Sequence, residues 1–324
     1  MIDILNLALP FFGLIALGFI LGKFKKLPDT GLAWMNFFVI YVALPCLFYR
    51  VLAQAPIEEL RNGPFIAGIA MSTTLMFAVS FGIGMLLRHG NIGEAAIVGS
   101  AGAYGNVGYM GPGLALATLG PASAPAVAII FCIDSVVAFT LVPLLMGMAG
   151  TSHRTPWQTV IQIVRQIAFH PFLIAVALGI LSAALHIRVP TALDRMMELL
   201  QAAAAPCALF TLGVTVALRP VEKMPWEVPP AIAVKLILHP ITVFCVLALI
   251  GKVSGNFSSV WISTAVLMAA LPPALNVYVM ARQYESWVEQ ASAAVLFGTM
   301  ASVATLMFVM WLVQTGALPV LSVR

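Results

Sequence analysis

A polytopic, all-α membrane protein is the fold class this sequence predicts, and three observations predict it. Of 324 residues, 61% are hydrophobic and only 9% charged, against about 25% charged in a soluble domain. The apolar residues gather into long runs, each close to the roughly 20 residues that cross a bilayer as a helix. Those runs are continuous, whereas a membrane β-barrel alternates apolar and polar residues over short strands. With 16 Lys and Arg and 12 Asp and Glu, the chain cannot coat a globule of this size with charge, which excludes a soluble enzyme. The net charge of +4 forms no Lys/Arg-rich face that could track phosphates, which excludes nucleic acid as a partner.

Ten spans follow in order: Ile4–Gly22, Trp34–Leu52, Phe65–Leu87, Ala95–Leu116, Pro125–Met148, Phe169–Leu185, Met196–Leu218, Pro230–Ile250, Val260–Met280 and Ala291–Val313. The links are short and rich in Pro, Gly and charge, as links between helices are. The longest, Ala149–Ala168, carries Trp157, Val160, Ile161, Val164 and Ile167 at helical spacing. That pattern predicts an amphipathic helix at the membrane surface. Cys46, Cys132, Cys207 and Cys245 lie in apolar runs without metal-ligand spacing, so neither a zinc site nor a disulfide framework is expected. The first run follows Asp3 instead of a basic stretch, unlike a cleavable signal peptide.

Orientation comes from the Lys and Arg of alternate loops. One side holds Lys23, Lys25, Lys26, Arg88, Arg154, Arg165, Arg219, Lys223 and Arg282; the other holds Arg50, Arg61, Arg188, Arg195, Lys252 and Arg324. The richer side is expected to be cytoplasmic, which places both termini outside.

The sequence also repeats itself. Pro10-Phe11 with Ala16-Leu17-Gly18 returns as Pro171-Phe172 with Ala177-Leu178-Gly179, and Ala43-Leu44-Pro45-Cys46 returns as Ala204-Ala205-Pro206-Cys207. Asn106-Val107 with Met110 matches Asn276-Val277 with Met280, and Ser135-Val136 matches Ser302-Val303. The order predicts two five-helix repeats, residues 1–150 and 169–324, joined by a linker at 151–168. Five is odd, so the second copy is inverted, an architecture of secondary transporters.

Two spans carry helix breakers at corresponding places. The fourth reads Gly99-Ser-Ala-Gly-Ala-Tyr-Gly-Asn-Val-Gly-Tyr-Met-Gly-Pro-Gly113, and the ninth Leu271-Pro-Pro-Ala-Leu-Asn276. Glycine and proline penalise a continuous helix. Broken backbone at membrane depth is tolerated only where it is buried or lines a cavity. Paired breaks point to a transporter's binding site, where half-helix N-termini suit an anion. Asn106 and Asn276 add amide donors there, and Gly105, Val107 and Gly108 flank the first of them. The competing reading is close helix packing with hydrogen bonds between neighbouring helices.

Asp134 is the acidic residue deepest within a span, and Lys235 is its deep basic counterpart, with His239 one turn further on the same face. Intramembrane carboxylates mark ion or proton paths, so an Asp134–Lys235 pair is either a coupling element or a static buried ion pair. His170 and His239, each before a proline, read as helix-entry residues.

These residues resemble the auxin efflux carrier family: ten spans in two inverted repeats, a second span centred on proline (Ala43-Leu-Pro-Cys-Leu-Phe48), and paired Asn-bearing broken helices. The likeness covers essentially the whole chain and is to the bacterial members. It implies a scaffold of the first, second, sixth and seventh spans and a mobile part made of the others, moving as an elevator. It also implies a carboxylate substrate where the fourth and ninth spans cross, near Asn106 and Asn276, with Pro272 or Pro273 at the ninth-span crossing. Pro112 follows Asn106, whereas Pro272 and Pro273 precede Asn276, so Gly105 or Gly108 makes the fourth-span crossing. Small carboxylates such as malonate and malate are the substrates the bacterial relatives suggest.

The leading expectation is a secondary or potential-driven carrier of organic anions in a bacterial inner membrane, with a homodimer as the oligomer a fixed scaffold suits. The alternatives are an H+- or Na+-coupled carrier centred on Asp134, and a ligand-binding receptor on a carrier-like fold. No cofactor, metal or enzymatic reaction is expected, because no nucleophile–base pair or second acid accompanies Asp134.

Overall fold

A computed structural model describes residues 2–25, 29–150, 155–187, 189–218, 224–255 and 257–318. Lys26, Arg154, Arg188, Arg219, Lys223 and Arg324, all counted for orientation, lie outside the described residues. The described chain is helical throughout, with one isolated antiparallel bridge. In order the helices are α1 (Ile2–Phe24), α2 (Asp29–Phe38), α3 (Leu44–Ala53), α4 (Ile57–Leu60), α5 (Gly63–Leu87), α6 (Ile92–Ala103), α7 (Gly111–Leu119) and α8 (Ala124–Met148). There follow α9 (Pro156–Ala168), α10 (Pro171–Ala184), α11 (Thr191–Ala217), α12 (Val228–Ala233), α13 (His239–Ser254), α14 (Ser259–Ala269), α15 (Leu275–Gln283) and α16 (Val288–Gln314).

Six continuous helical segments among the described residues are long and apolar enough to cross a membrane: Gly31–Ala53, Gly63–Leu87, Pro121–Met148, Thr191–Ala217, Val228–Ser254 and Val288–Gln314. The pair Trp157–Ala168 and Pro171–Ala184, bent by 56°, makes a seventh if taken as one span. The fourth and ninth runs of the sequence are not continuous helices. Each is split into two short pieces, α6 with α7 and α14 with α15, and neither piece has the length to cross alone.

Proline explains further irregularities. Five-residue π-helical turns, Val39–Ala43 and Val234–Leu238, precede Pro45 and Pro240. A proline ring clashes with the carbonyl four residues back, and widening the helix by one residue per turn relieves the clash. The amphipathic helix expected in the long link is α9, with Trp157 71% exposed and Val160, Ile161 and Val164 also exposed.

Contacts divide the chain into two compact units that cut across the sequence halves. Unit 1 is Met1–Asn62, Gly108–Ile129 and Ala168–Pro220; unit 2 is Gly63–Val107, Ile130–Ile167 and Val221–Arg324. In unit 1, α1 lies along α11 so closely that a Cβ at Gly18 would meet the Phe210 carbonyl and one at Gly213 the Ile15 carbonyl. Small residues permitting backbone approach are how helices associate where lipid offers no hydrophobic drive. Arg50 on α3 grips Asp194 of α11 through two bonds (2.8 and 3.1 Å) and donates to Gln201 at 2.9 Å.

In unit 2, α5 packs on α6 and α13 packs on α5. Asn91 caps α6 by accepting from the Glu94 amide at 3.1 Å, satisfying one orphan donor of the first turn. Arg88, just past α5, pairs with Glu94 and, at 2.5 Å, with Glu227 ahead of α12. The Trp287 indole donates to the other Glu227 oxygen at 3.2 Å. The bond to Glu94, joined by the one to Glu227, holds the Arg88 guanidinium above its ordinary range against the opposing effect of burial. The cluster binds the α5–α6 link, the entry to α12 and the entry to α16 within unit 2.

Candidate functional site

The site lies in unit 2, where two broken helices exchange backbone hydrogen bonds. Helix α6 ends at Ala103, and Tyr104 turns extended. Helix α14 ends at Ala269, and α15 starts only at Leu275 after Ala274, also extended. Between these ends the Asn106 amide donates to the Pro272 carbonyl (2.8 Å) and the Ala274 amide donates to the Tyr104 carbonyl (3.0 Å). Gly105 and Pro273 face each other at the centre of this antiparallel crossing.

The register explains the residue types. In such a non-hydrogen-bonded pair the facing residues donate nothing to each other, and their Cα atoms approach to about 4.5 Å. Pro272 and Pro273 have no N–H to give, and the register asks none of them, because Asn106 and Ala274 supply both donors. The sequence left Gly105 and Gly108 open as the crossing residue, and Pro272 and Pro273 likewise. The residues paired are Gly105 and Pro273. Gly108 follows in the turn that leads into α7, and Pro112 sits in the first turn of α7, where a missing donor costs nothing.

Asn106 is 2% exposed, and its side-chain nitrogen has no hydrogen-bond partner. Leaving a buried amide donor unmet costs about 1–3 kcal/mol. Asn276, the first-turn residue of α15, donates at 3.4 Å to the Tyr104 hydroxyl, which also lies 3.4 Å from the Ser135 hydroxyl. Tyr104 is itself buried and meets Phe139 edge-on at 6.0 Å between ring centroids. Helix α15 starts without a side-chain cap, and although the Val277 amide donates to the Ala274 carbonyl at 3.1 Å, the positive dipole end suits an anion. Val107 is buried directly after Asn106.

Asp134 and Lys235 are both buried, at 3% and 0% exposure. The direct pair that the sequence suggested is not formed: no ion pair among the described residues joins them. Each has nearer partners instead. The Asp134 carboxylate accepts from the Thr73 hydroxyl of α5 at 2.7 Å. The Lys235 ammonium donates to the Ala269 carbonyl at 2.5 Å and lies 3.1 Å from Nδ1 of His239. A hydroxyl and a helix-end carbonyl thus take the contacts that two opposite charges were expected to make with each other.

Two residues of this cluster were not singled out from the sequence. Tyr104 was visible only as one aromatic in a glycine-rich break, and Thr73 as an ordinary residue of an apolar helix. His239, which the spacing placed one turn beyond Lys235 on the same face as well as at a helix entry, has its Nδ1 3.1 Å from the Lys235 ammonium.

The geometry defines a class before it suggests a relative: a multispan helical membrane protein with a buried, polar crossing of two interrupted helices. The membrane transport protein family matches residues 3–310, and the chain belongs to it, the family of the auxin efflux carriers. It is a membrane transporter. A relative from Rhizobium meliloti (strain 1021), bearing the name "Putative malonate transporter", is 44% identical over 319 residues, covering 98% of each chain.

Proposed function

We propose that this protein is a secondary or potential-driven carrier of small carboxylates, malonate among them, and that the anion binds at the crossing. The observation that carries the reading is the side-chain nitrogen of Asn106, buried and without a hydrogen-bond partner beside an interrupted helix. A carboxylate oxygen accepts from such a donor, and the uncapped start of α15 adds backbone donors and favourable dipole. Asn276, Gly105, Val107, Gly108, Pro272 and Pro273 complete the substrate region, with Tyr104 orienting Asn276. Asp134 and Lys235 are the charged groups through which substrate movement couples to an ion or to the membrane potential. The relative's name supports malonate as the first substrate to try.

The proposal includes ten spans in two inverted five-helix repeats, 1–150 and 169–324, with α9 in the cytoplasmic linker 151–168 and both termini outside. Unit 1 serves as the scaffold and unit 2 as the part that carries the crossing from one side to the other. The host membrane is a bacterial inner membrane, and the scaffold is the surface through which two copies pair.

The test is uptake of labelled malonate, malate and monocarboxylates into proteoliposomes, with pH, sodium and voltage gradients imposed separately. Saturable uptake of one acid, lost in Asn106→Ala, is the expected result. Specific binding without flux for any acid would replace the carrier by a receptor.

A further inference from the structure

Unit 1 leaves a groove between its first two helices. Helices α1 and α2 both rest on α11 but do not run along each other. Glycine sets α1 down tightly: a Cβ at Gly22 would fall 2.9 Å from the Ala217 Cβ and 3.2 Å from the Val214 Cα. The gap that remains between α1 and α2 is a cavity of 320 Å³. Phe210, Thr211 and Val214 of α11 make its floor, Leu21 one wall, and Leu32 and Met35 the other. The one hydroxyl in the floor is already used, because Thr211 donates to the Cys207 carbonyl at 2.6 Å. What the groove offers along its length is therefore apolar surface.

Its end is different. Lys25 lines the same cavity, and its amide donates to the Leu21 carbonyl at 2.8 Å, one helical turn below. Leu21 and Lys25 thus share a face, with the lysine stem free to lie along the groove and the ammonium at its mouth. Lys23 adds a second exposed cation at this end, its ammonium 5.8 Å from the centre of the Phe19 ring. The outer side of α2 carries Trp34, Phe37 and Tyr41, all exposed, with Trp34 edge-on to Phe37 and Phe37 stacked on Tyr41. Exposed Trp and Tyr beside lysines are the mark of the headgroup level of a bilayer.

We infer that this groove is a binding site for an anionic phospholipid, its acyl chain along Phe210, Thr211 and Val214 and its phosphate at Lys25. An apolar trough that ends in a cation complements a molecule with an apolar tail and an anionic head. Basic pockets between membrane helices recognise lipid headgroups on this principle. A second copy of the chain is a poorer match. Two copies in one membrane share their orientation, so pairing along this groove brings the lysines of both to the same end. The lipid completes the wall between α1 and α2 and steadies unit 1. This site is separate from the crossing, and its test involves no transport, so it stands or falls independently of the carrier reading.

The experiment titrates purified protein in dodecyl maltoside with palmitoyl-oleoyl phosphatidylglycerol, with phosphatidylcholine of the same chains, and with inorganic phosphate. The thermal unfolding midpoint is read, and native mass spectrometry counts lipids retained and copies of the chain. Phosphatidylglycerol is expected to raise the midpoint by about 4 °C at saturation, phosphatidylcholine by clearly less, and phosphate not at all. Lys25→Gln is expected to lose most of the difference between the two lipids. Lys252→Gln, which removes an exposed lysine of α13 in unit 2, is expected to keep it. Leu32→Trp fills the groove, and is expected to abolish the response to phosphatidylglycerol while unfolding no earlier than wild type in detergent alone.

Equal responses to both lipids overturn the inference, as does a Lys25→Gln response equal to that of wild type. Loss of the response in Lys252→Gln as well would make the effect one of net charge, which also overturns it. Stabilisation by phosphate alone would make this a simple anion site, not a lipid site. A dimer that Leu32→Trp splits, with no preference between the lipids, would assign the groove to a second copy.

Discussion

The two compact units solve the problem of helix association in lipid differently. Unit 1 brings backbones together: Gly18 and Gly213 let α1 and α11 touch, and its ion pair, Arg50 with Asp194, leaves the Asp194 side chain 37% exposed. Unit 2 buries its polar groups instead. Lys235, Asp134, His239, Asn106 and Glu227 are all inside, and all but Asn106 have a hydrogen-bond partner for the side chain. A buried charge costs several kcal/mol to desolvate; Thr73, the Ala269 carbonyl and His239 offset that cost at Asp134 and Lys235, and Arg88 and Trp287 offset it at Glu227. The difference teaches where to look for transport chemistry. Close packing holds a shape, whereas expensive buried polarity beside an unmet side-chain amide at a helix break marks a place that waits for a ligand.

The comparison can be broken most severely in unit 1. Gly213→Leu forces a branched side chain into the Ile15 backbone, and the expected outcome is loss of folded, membrane-extracted protein in size-exclusion chromatography. A monodisperse variant with normal flux would show that α1 and α11 do not depend on backbone contact.

Next comes the charge cluster of unit 2. Arg88→Ala leaves Glu227 buried with only Trp287 as donor, so a loss of about 2–3 kcal/mol is expected, read as a drop in unfolding midpoint. The guanidinium is charged across the physiological range by its own basicity, and its bonds to Glu94 and Glu227 push its pKa further up. Raising pH from 7 to 9 should therefore leave this contribution intact.

Asn106→Ala sharpens the contrast in the opposite sense. It removes the unmet amide, so the empty protein should be as stable as wild type or slightly more so. Malonate flux should nevertheless fall by about tenfold or more. Lower stability with unchanged flux would make Asn106 a packing residue.

Smaller effects are expected at the edges of the same comparison. Pro273→Ala adds an N–H that the crossing register does not use and removes the ring atoms that pack on α16, where Gly298 makes room for them at 2.7 Å from a would-be Cβ. A severalfold loss of flux with near-normal folding is expected. Arg50→Ala, whose partner is partly solvated, should shift stability by about 1 kcal/mol or less. A larger shift would mean that unit 1 relies on that pair more than on its glycines.

Much of this was legible in the residues. Pro272-Pro273 and the glycines around Asn106 announce interrupted helices, because the cost of a missing donor or an unrestrained backbone is local. The exposed stripe of α9 follows from the spacing of Trp157, Val160, Ile161 and Val164. The partner of Lys235 was not legible. Charge complementarity in the sequence selected Asp134, and nothing local shows that a helix-end carbonyl lies nearer.

By itself, then, the sequence determined what depends on neighbours along the chain: apolar lengths, proline and glycine breaks, and the two asparagines placed beside them. Only the tertiary structure decided what depends on distances between segments far apart in number. It set Gly105 against Pro273, put Tyr104 in reach of Asn276, gave Asp134 to Thr73, and seated the Lys235 ammonium on the end of α14. Hydrogen bonds act over about 3 Å, and which groups come that close is fixed by how the helices pack.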